Sequence, residues 1–295
     1  MSFEQSSVIH EQLALGNSLP GADSQGKSPF LFVSLSELIA ECVFYHPTLV
    51  CGTEGLTELE KNSLDALLNG QSIEEHFVST LVTQIEHAIT ADHQTVRVSL
   101  SNADSHDFQA LIGGSVENSE VNPAIGLRGV SRYASKSYAA GFALECKVIK
   151  ALREKEHDIE IVVPFVRTLS DAATVIDRLA EQGLPRGLNG LKVSYVCNVP
   201  SSALLAERLL KYFDGVVIDW DLLTQCTLGI DKQNPELEHL YNPESEAVTM
   251  LVAEAASAAE KANKPLVIVT TALAQYSKLQ AYLIDNHPNT CLFDF

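Results

Sequence analysis

Residues 159–197 read IEIVVPFVRTLSDAATVIDRLAEQGLPRGLNGLKVSYVC and contain the repeating unit that decides the fold. A short apolar run over 159–164 is followed by a helical pattern over 170–182 and by a second apolar run over 191–197. Short β-branched runs separated by one helix predict two parallel strands joined by a crossover helix.

The same alternation continues in both directions along the chain. Further strand-like runs lie at 31–33, 95–98, 215–218, 266–269 and 290–293, and helical patterns lie at 34–43, 56–68, 77–89, 137–153, 201–212, 245–262 and 274–286. Such a series is compatible with an open doubly wound sheet or a closed barrel. Because no Gly-rich turn opens an early helix, the pattern favours a (β/α)8 TIM barrel.

The length of 295 residues and the hydrophobic content of 46% suit a single barrel domain. Residues 1–29 are rich in Ser, Gly, Gln and Asn, which predicts a flexible N-terminal arm followed by a barrel domain over 30–295. The last strand candidate ends near the last residue, so the final helix of a barrel is expected to be missing. We predict that the arm or a second subunit covers the exposed flank, which favours a homodimer.

The net charge of -18 and the pI near 4.8 argue against nucleic acid or an anionic membrane as a partner, because both would be repelled. No stretch approaches the roughly 18 apolar residues of a membrane span, and the N-terminus lacks a basic region followed by an apolar run. A cytoplasmic location is expected. The six cysteines show no CxxC spacing, so they predict buried reduced thiols rather than a zinc site or a disulfide framework.

Several motifs between about residues 96 and 270 occur in a collinear order. They are Asn122–Tyr133 (NPAIGLRGVSRY), Phe142–Cys146 (FALEC), Val163–Thr168 (VPFVRT), Gln182–Lys192 (QGLPRGLNGLK), Pro200–Glu207 (PSSALLAE), Tyr212–Gly215 (YFDG) and Thr224–Asp231 (TQCTLGID). This series resembles the phosphoenolpyruvate-binding domain of the phosphoenolpyruvate synthase family. The resemblance implies a barrel of the phosphoenolpyruvate/pyruvate type, without the ATP-binding and swivelling phosphohistidine domains of the full enzymes.

The resemblance also implies an anion site built from arginines, whose planar guanidinium groups match phosphate oxygens. Arg97 and Arg128 stand where the family clamps the phosphate of phosphoenolpyruvate, and Arg132 and Arg167 stand at further arginine positions. A structural role stays open for each: an ion pair for Arg97 and Arg128, and carbonyl capping or a salt bridge for Arg132 and Arg167.

The positions that would carry the chemistry are altered. The resemblance implies two carboxylates that hold magnesium and a cysteine that protonates the enolate, and these three positions fall on Asn198, Leu222 and Val269. Asp219 and Asp221 are close to the lost carboxylate and could serve as replacement magnesium ligands together with Asn198. Relict acidic residues are the simpler interpretation.

Three hypotheses follow. The favoured one is a catalytically inactive stand-alone barrel that binds a small phosphate- or carboxylate-bearing ligand, phosphoenolpyruvate- or pyruvate-like, or serves a regulatory role, without a cofactor. The second is an active magnesium-dependent lyase or aldolase that uses Asp219 or Asp221. The third is a structural interaction protein in which the arginines no longer bind a ligand.

Overall fold

The computed structural model describes residues 8–21, 25–155 and 157–295. In these residues eight parallel strands follow one another around a single sheet in chain order. They are β1 (Asn17–Leu19), β2 (Phe30–Ser34), β3 (Thr95–Ser99), β4 (Ile159–Val163), β5 (Val193–Cys197), β6 (Gly215–Asp219), β7 (Leu266–Thr270) and β8 (Cys291–Asp294).

The sheet closes between its first and last strands. Leu15 forms a parallel bridge with Leu292, and the backbone N–H of Gly16 donates to the carbonyl oxygen of Leu292 at 2.7 Å. An open doubly wound sheet has two free edges, whereas these contacts join the edges. The predicted (β/α)8 barrel is therefore confirmed.

Helices connect the strands: α1 (Leu35–Leu38), α2 (Glu58–Leu68), α3 (Ile73–Ala88), α4 (Ser105–Gln109), α5 (Val130–Ala134), α6 (Ala139–Glu154), α7 (Leu169–Glu181), α8 (Pro200–Leu204), α9 (Ala206–Leu209), α10 (Trp220–Leu228), α11 (Glu246–Ala262) and α12 (Ser277–Asn286). Capping boxes begin α2, α3, α4 and α7. In α7, for example, Thr168 and Asp171 exchange side-chain and backbone hydrogen bonds. Such pairs satisfy the free N–H groups of a first turn and so fix where the helix begins.

Several helical segments differ from the predicted pattern, among them α4 and α5, which were not predicted. The helix expected over 34–43 is α1 followed by a π-helix over Ile39–Val43, and the helix expected over 201–212 is divided into α8 and α9. Helix α10 was not predicted. It begins directly after β6, where Asp219 caps it by accepting a hydrogen bond from the backbone N–H of Leu222.

Two apolar layers hold the barrel together. The larger one lies between the outer face of the sheet and the helices. The smaller one fills the barrel interior with one residue from each of six strands: Phe32, Val162, Val196, Val217, Val267 and Phe293. This separation follows from the strand geometry, because alternate residues point to opposite faces of a sheet.

The predicted boundary at residue 29 has to be corrected. It assigns β1 to a flexible arm, whereas Asn17–Leu19 pairs in register with Leu31–Val33 and belongs to the barrel. Gly16 suggested flexibility in the sequence, but it has a steric function: a Cβ atom there would lie 2.1 Å from the ring of Phe293. The glycine makes room for an interior ring. Residues 1–7 and 22–24 of the predicted arm lie outside the described residues.

The outer flank of β8 is covered from within the chain. Leu292 is 1% exposed, and residues before β1 are hydrogen bonded to α12: His10 N–H donates to Gln280 Oε1 at 2.8 Å. Gln280 Nε2 in turn donates to the carbonyl oxygen of Val8 at 3.3 Å. The predicted homodimer was argued from an uncovered flank, so it loses that argument and stays a prediction.

Among the described residues, no helix is long and apolar enough to span a membrane. The six cysteines all lie in these ranges, and each is free. Cys146 and Cys197 are buried as predicted, whereas Cys51 is exposed.

Candidate functional site

A cavity of about 900 Å³ opens at the carboxyl ends of the strands. Inward-facing residues of the strands form its floor, among them Phe32, Ser34, Ser99, Val217, Asp219 and Val269. The walls come from the segments that follow β2, β3 and β6 and from the loop before α5. Ligand sites of α/β barrels lie at this end, because loops from several strands converge there.

Arg128 contributes a guanidinium group to the cavity wall and is 8% exposed. Its Nε donates to the carbonyl oxygen of Asn102 at 2.9 Å, and its Nη1 donates to that of Ala124 at 3.1 Å. The guanidinium carbon lies 4.7 Å from the ring centroid of Phe165. Within the described residues Nη2 has no hydrogen-bond partner, so it can donate to a group in the cavity.

Arg167 and Arg132 hold the loop that carries Arg128 and do not line the cavity. Arg167 donates from Nη2 to the carbonyl oxygen of Gly126 at 3.1 Å, and its guanidinium carbon also lies 4.7 Å from the centroid of Phe165. Arg132 is fully buried, donates from Nε to the carbonyl oxygen of Leu127 at 3.1 Å and pairs with Glu117. These contacts are the structural alternative left open for both arginines, and anion binding by them stays a prediction.

Arg97 lies deeper in the barrel than the cavity. Its Nε forms an ion pair with Glu160 Oε2 at 3.0 Å on the neighbouring strand β4, and its guanidinium carbon lies 5.3 Å from the ring centroid of Phe30. The residue of β3 that lines the cavity is Ser99, two positions closer to the carboxyl end. The predicted clamp of Arg97 and Arg128 is therefore not brought together at the cavity.

The cavity lining carries more negative than positive groups. The described lining residues include six carboxylates and two permanently basic side chains: Glu37, Asp104, Asp107, Asp219, Asp221 and Asp231, with Arg128 and Lys232. Several carboxylates have structural partners. Asp104, for example, caps α4 by accepting from the backbone N–H groups of His106 and Asp107. The charge balance disfavours a ligand of high negative charge.

Asp219 and Asp221 both line the cavity, but in different environments. Burial raises the pKa of Asp219 to about 6, with the neighbouring Asp221 acting in the same direction. Asp221 accepts hydrogen bonds on both oxygens: Oδ1 from the hydroxyl of Tyr241 and Oδ2 from that of Thr271 at 2.8 Å. Burial and the carboxylate of Asp221 raise the pKa of Tyr241, which keeps that hydroxyl a donor.

The donor set does not fit a magnesium ion. Magnesium requires oxygen ligands in near-octahedral geometry. Leu222 offers none, Asn198 does not line the cavity, and both oxygens of Asp221 already accept hydrogen bonds. Among the residues that the structure describes, no group of three or more His, Cys, Asp or Glu side chains is placed to hold a metal ion. The side-chain amide atoms of Asn198 are buried without a hydrogen-bond partner.

Three polar residues near Arg128 were not predicted as site residues. Ser36 and Asn102 line the cavity, and the Oγ of Ser36 accepts a hydrogen bond from the backbone N–H of Asn102. Ser99 is the third. All three lie at or just after the carboxyl ends of β2 and β3, so their position at strand ends is the signal that could have identified them.

Gly129 fixes the direction in which the chain leaves Arg128. Its φ is +51°, and a Cβ atom there would lie 2.3 Å from the carbonyl oxygen of Pro164. We expect Gly129→Ala to lower the free energy of unfolding by about 2–3 kcal/mol, measured by urea denaturation. Gly183→Ala is the matched control, because Gly183 has a φ of +77° but open space around it. Equal losses in the two variants would contradict the steric argument.

Comparisons of the sequence with known proteins match most of the chain. Residues 63–284 match the family described as PEP-utilising enzyme, PEP-binding domain. A phosphoenolpyruvate synthase of Pseudomonas aeruginosa is 38% identical over 256 residues, which cover 85% of this chain and 32% of that protein. The Escherichia coli phosphoenolpyruvate synthase is 35% identical over 256 residues, with the same shares of the two chains. The chain thus spans about a third of the length of these curated relatives.

Among solved structures, a HpcH/Hpal aldolase/citrate lyase family protein from Burkholderia cenocepacia is similar with a TM-score of 0.39 and 9% identity, over 72% of this chain and 83% of that chain. The family match covers most of the barrel, from α2 to α12. The resemblance noted in the motifs is therefore confirmed, and the chain belongs to the family of PEP-binding domains of PEP-utilising enzymes.

Proposed function

We propose that this barrel binds a small ligand through a single carboxylate or phosphate group at Arg128 and does not turn it over. The observation that carries the proposal is the position of Arg128 in the cavity wall, with Nη2 free of hydrogen bonds from the described residues. Its Nε and Nη1 each donate to a backbone carbonyl, and Nη1 also lies 4.0 Å from Asp104 Oδ2, so the group is oriented before a ligand arrives.

The absence of turnover is proposed from the residues at the three altered positions. Leu222 and Val269 line the cavity with apolar side chains that can neither hold a cation nor transfer a proton. Stabilising the negative oxygen of an enolate requires a donor or a cation placed beside it. The cavity instead offers Asp219 and Asp221, whose charge would oppose a developing anion.

The acidic lining also limits the ligand. A dianionic phosphate beside Asp219 would be repelled more strongly than a monoanionic carboxylate. We therefore propose weak binding of phosphoenolpyruvate and pyruvate, with the physiological ligand carrying one anionic group. The expected cytoplasmic location and the homodimer stay predictions.

Calorimetric titration tests the proposal. Phosphoenolpyruvate, pyruvate and inorganic phosphate are titrated separately into the purified chain, each with and without magnesium. We expect weak binding whose affinity does not change with magnesium. Binding that requires magnesium would favour the active lyase or aldolase, and no binding of any of the three would favour the structural interaction protein.

A further inference from the structure

Glu145 lies outside the cavity and does not line the proposed anion site. It belongs to the FALEC motif, lies on α6 and is completely buried. A buried carboxylate costs free energy unless it is hydrogen bonded, so its partners indicate what it holds in place.

The partners of Glu145 connect it to the segment after β3. Its Oε2 accepts a hydrogen bond from the backbone N–H of Ser101 at 2.7 Å, and its Oε1 accepts one from the hydroxyl of Tyr138 at 2.8 Å. The carbonyl oxygen of Ser101 accepts from the hydroxyl of Tyr133, on the helix that begins two residues after Arg128. The backbone N–H and the carbonyl oxygen of Ser101 are therefore both hydrogen bonded to buried side chains.

Asn102, the next residue, connects Ser101 to the cavity. Asn102 follows Ser101, its N–H donates to Ser36 Oγ, and its carbonyl oxygen accepts the hydrogen bond from Arg128 Nε at 2.9 Å. A displacement of Ser101 would move that carbonyl oxygen, and the guanidinium group would lose the acceptor that orients it.

We propose that Glu145 is a positioning residue: it fixes the Ser101–Asn102 segment on which the Arg128 guanidinium is held, and so sets the anion-binding geometry from outside the cavity. The consequence for ligand affinity rests on the proposed function. The effect on the orientation of Arg128 does not, so the two can be tested separately.

The test compares Glu145→Ala, Glu145→Gln and the control Glu154→Gln, an exposed glutamate on the same helix. The first readout is the NMR signal of the Arg128 Nε–H group in the ligand-free chain, identified by its loss in Arg128→Gln. We expect slow solvent exchange of this proton in the parent chain and in Glu154→Gln. The exchange should become fast in Glu145→Ala. Glu145→Gln should restore protection, because an amide oxygen can still accept from Ser101 N–H.

The second readout is calorimetric titration with phosphoenolpyruvate. Loss of a hydrogen bond to a charged group corresponds to roughly a 10-fold change in an equilibrium constant or more, so we expect about 10-fold weaker binding in Glu145→Ala. Affinity should be close to the parent value in Glu145→Gln and in Glu154→Gln. If Glu145→Ala does not fold, Glu145→Leu fills nearly the same space and also removes the acceptor.

Two results would overturn the inference: an Arg128 Nε–H that stays protected in the alanine or leucine variant, or a glutamine variant that behaves like alanine. If the parent chain does not bind phosphoenolpyruvate but its Arg128 signal responds to Glu145→Ala, the proposed function fails and the positioning role stands.

Discussion

Replacing Arg128 by glutamine is expected to reduce the affinity for phosphoenolpyruvate and pyruvate by about 10- to 100-fold. Arg128 is the one arginine among the described residues that line the cavity, so no neighbouring guanidinium group can take over its contact with the anion. Glutamine keeps a donor for the carbonyl oxygen of Asn102 but loses the positive charge. The dissociation constant measured by calorimetry gives the result directly.

The matched control is Arg208→Gln, which removes the same charge from an exposed position on α9. It does not line the cavity, so its effect on affinity should be small. Equal binding by the parent chain and Arg128→Gln would remove the basis of the proposed anion site and favour a structural interaction protein.

Replacing Asp219 by asparagine is expected to stabilise the protein, and to do so more strongly as the pH rises. Burial raises the pKa of Asp219 from 3.8 to about 6, so the folded state holds this proton more tightly than the unfolded state. The stabilisation from the protonated group is fully present below pH 3.8 and is lost as the pH rises through 6. At pH 8 the folded chain contains a desolvated carboxylate that the asparagine variant lacks.

At pH 8 the free energy of unfolding of Asp219→Asn is expected to exceed that of the parent chain by about 2 kcal/mol, which corresponds to a rise in Tm of a few degrees. The difference should approach zero near pH 4. Asparagine is as good an N-cap as aspartate, so the hydrogen bond to the N–H of Leu222 should survive. Thermal unfolding between pH 4 and pH 8 measures the difference. Asp231→Asn, at an exposed aspartate on the same cavity, is the control. A gain in Tm independent of pH would contradict the burial argument.

The order of the strands and much of the helical pattern could be predicted from the sequence. Seven of the strands fall on the β-branched runs, because a buried parallel strand needs a continuous apolar segment whatever surrounds it. β1 could not be found in this way. It has three residues, and the glycine before it is required by the ring of Phe293, more than 270 positions away.

The candidate site was predicted only in part. Arg128, which the motif identified as a candidate, lies in the cavity wall, and its anion-binding role stays a prediction. Arg97 and Ser99 both point into the barrel from β3, but only Ser99 is close enough to the carboxyl end to line the cavity. Arg97 lies two residues earlier, beside Glu160 of β4. The contact of Glu145 with Ser101 links positions 44 residues apart, which no local pattern reports.

By itself, the sequence determined the barrel and the family, while the assignment of three chemically important positions to Asn198, Leu222 and Val269 stays a prediction from the resemblance. These depend on local periodicity and on motifs, which are properties of contiguous residues. Only the tertiary structure decided which arginine reaches the cavity, how acidic its lining is and what holds Arg128 in place. Those features arise where segments far apart in the sequence pack against one another. They depend on distances between side chains, which the order of residues does not specify.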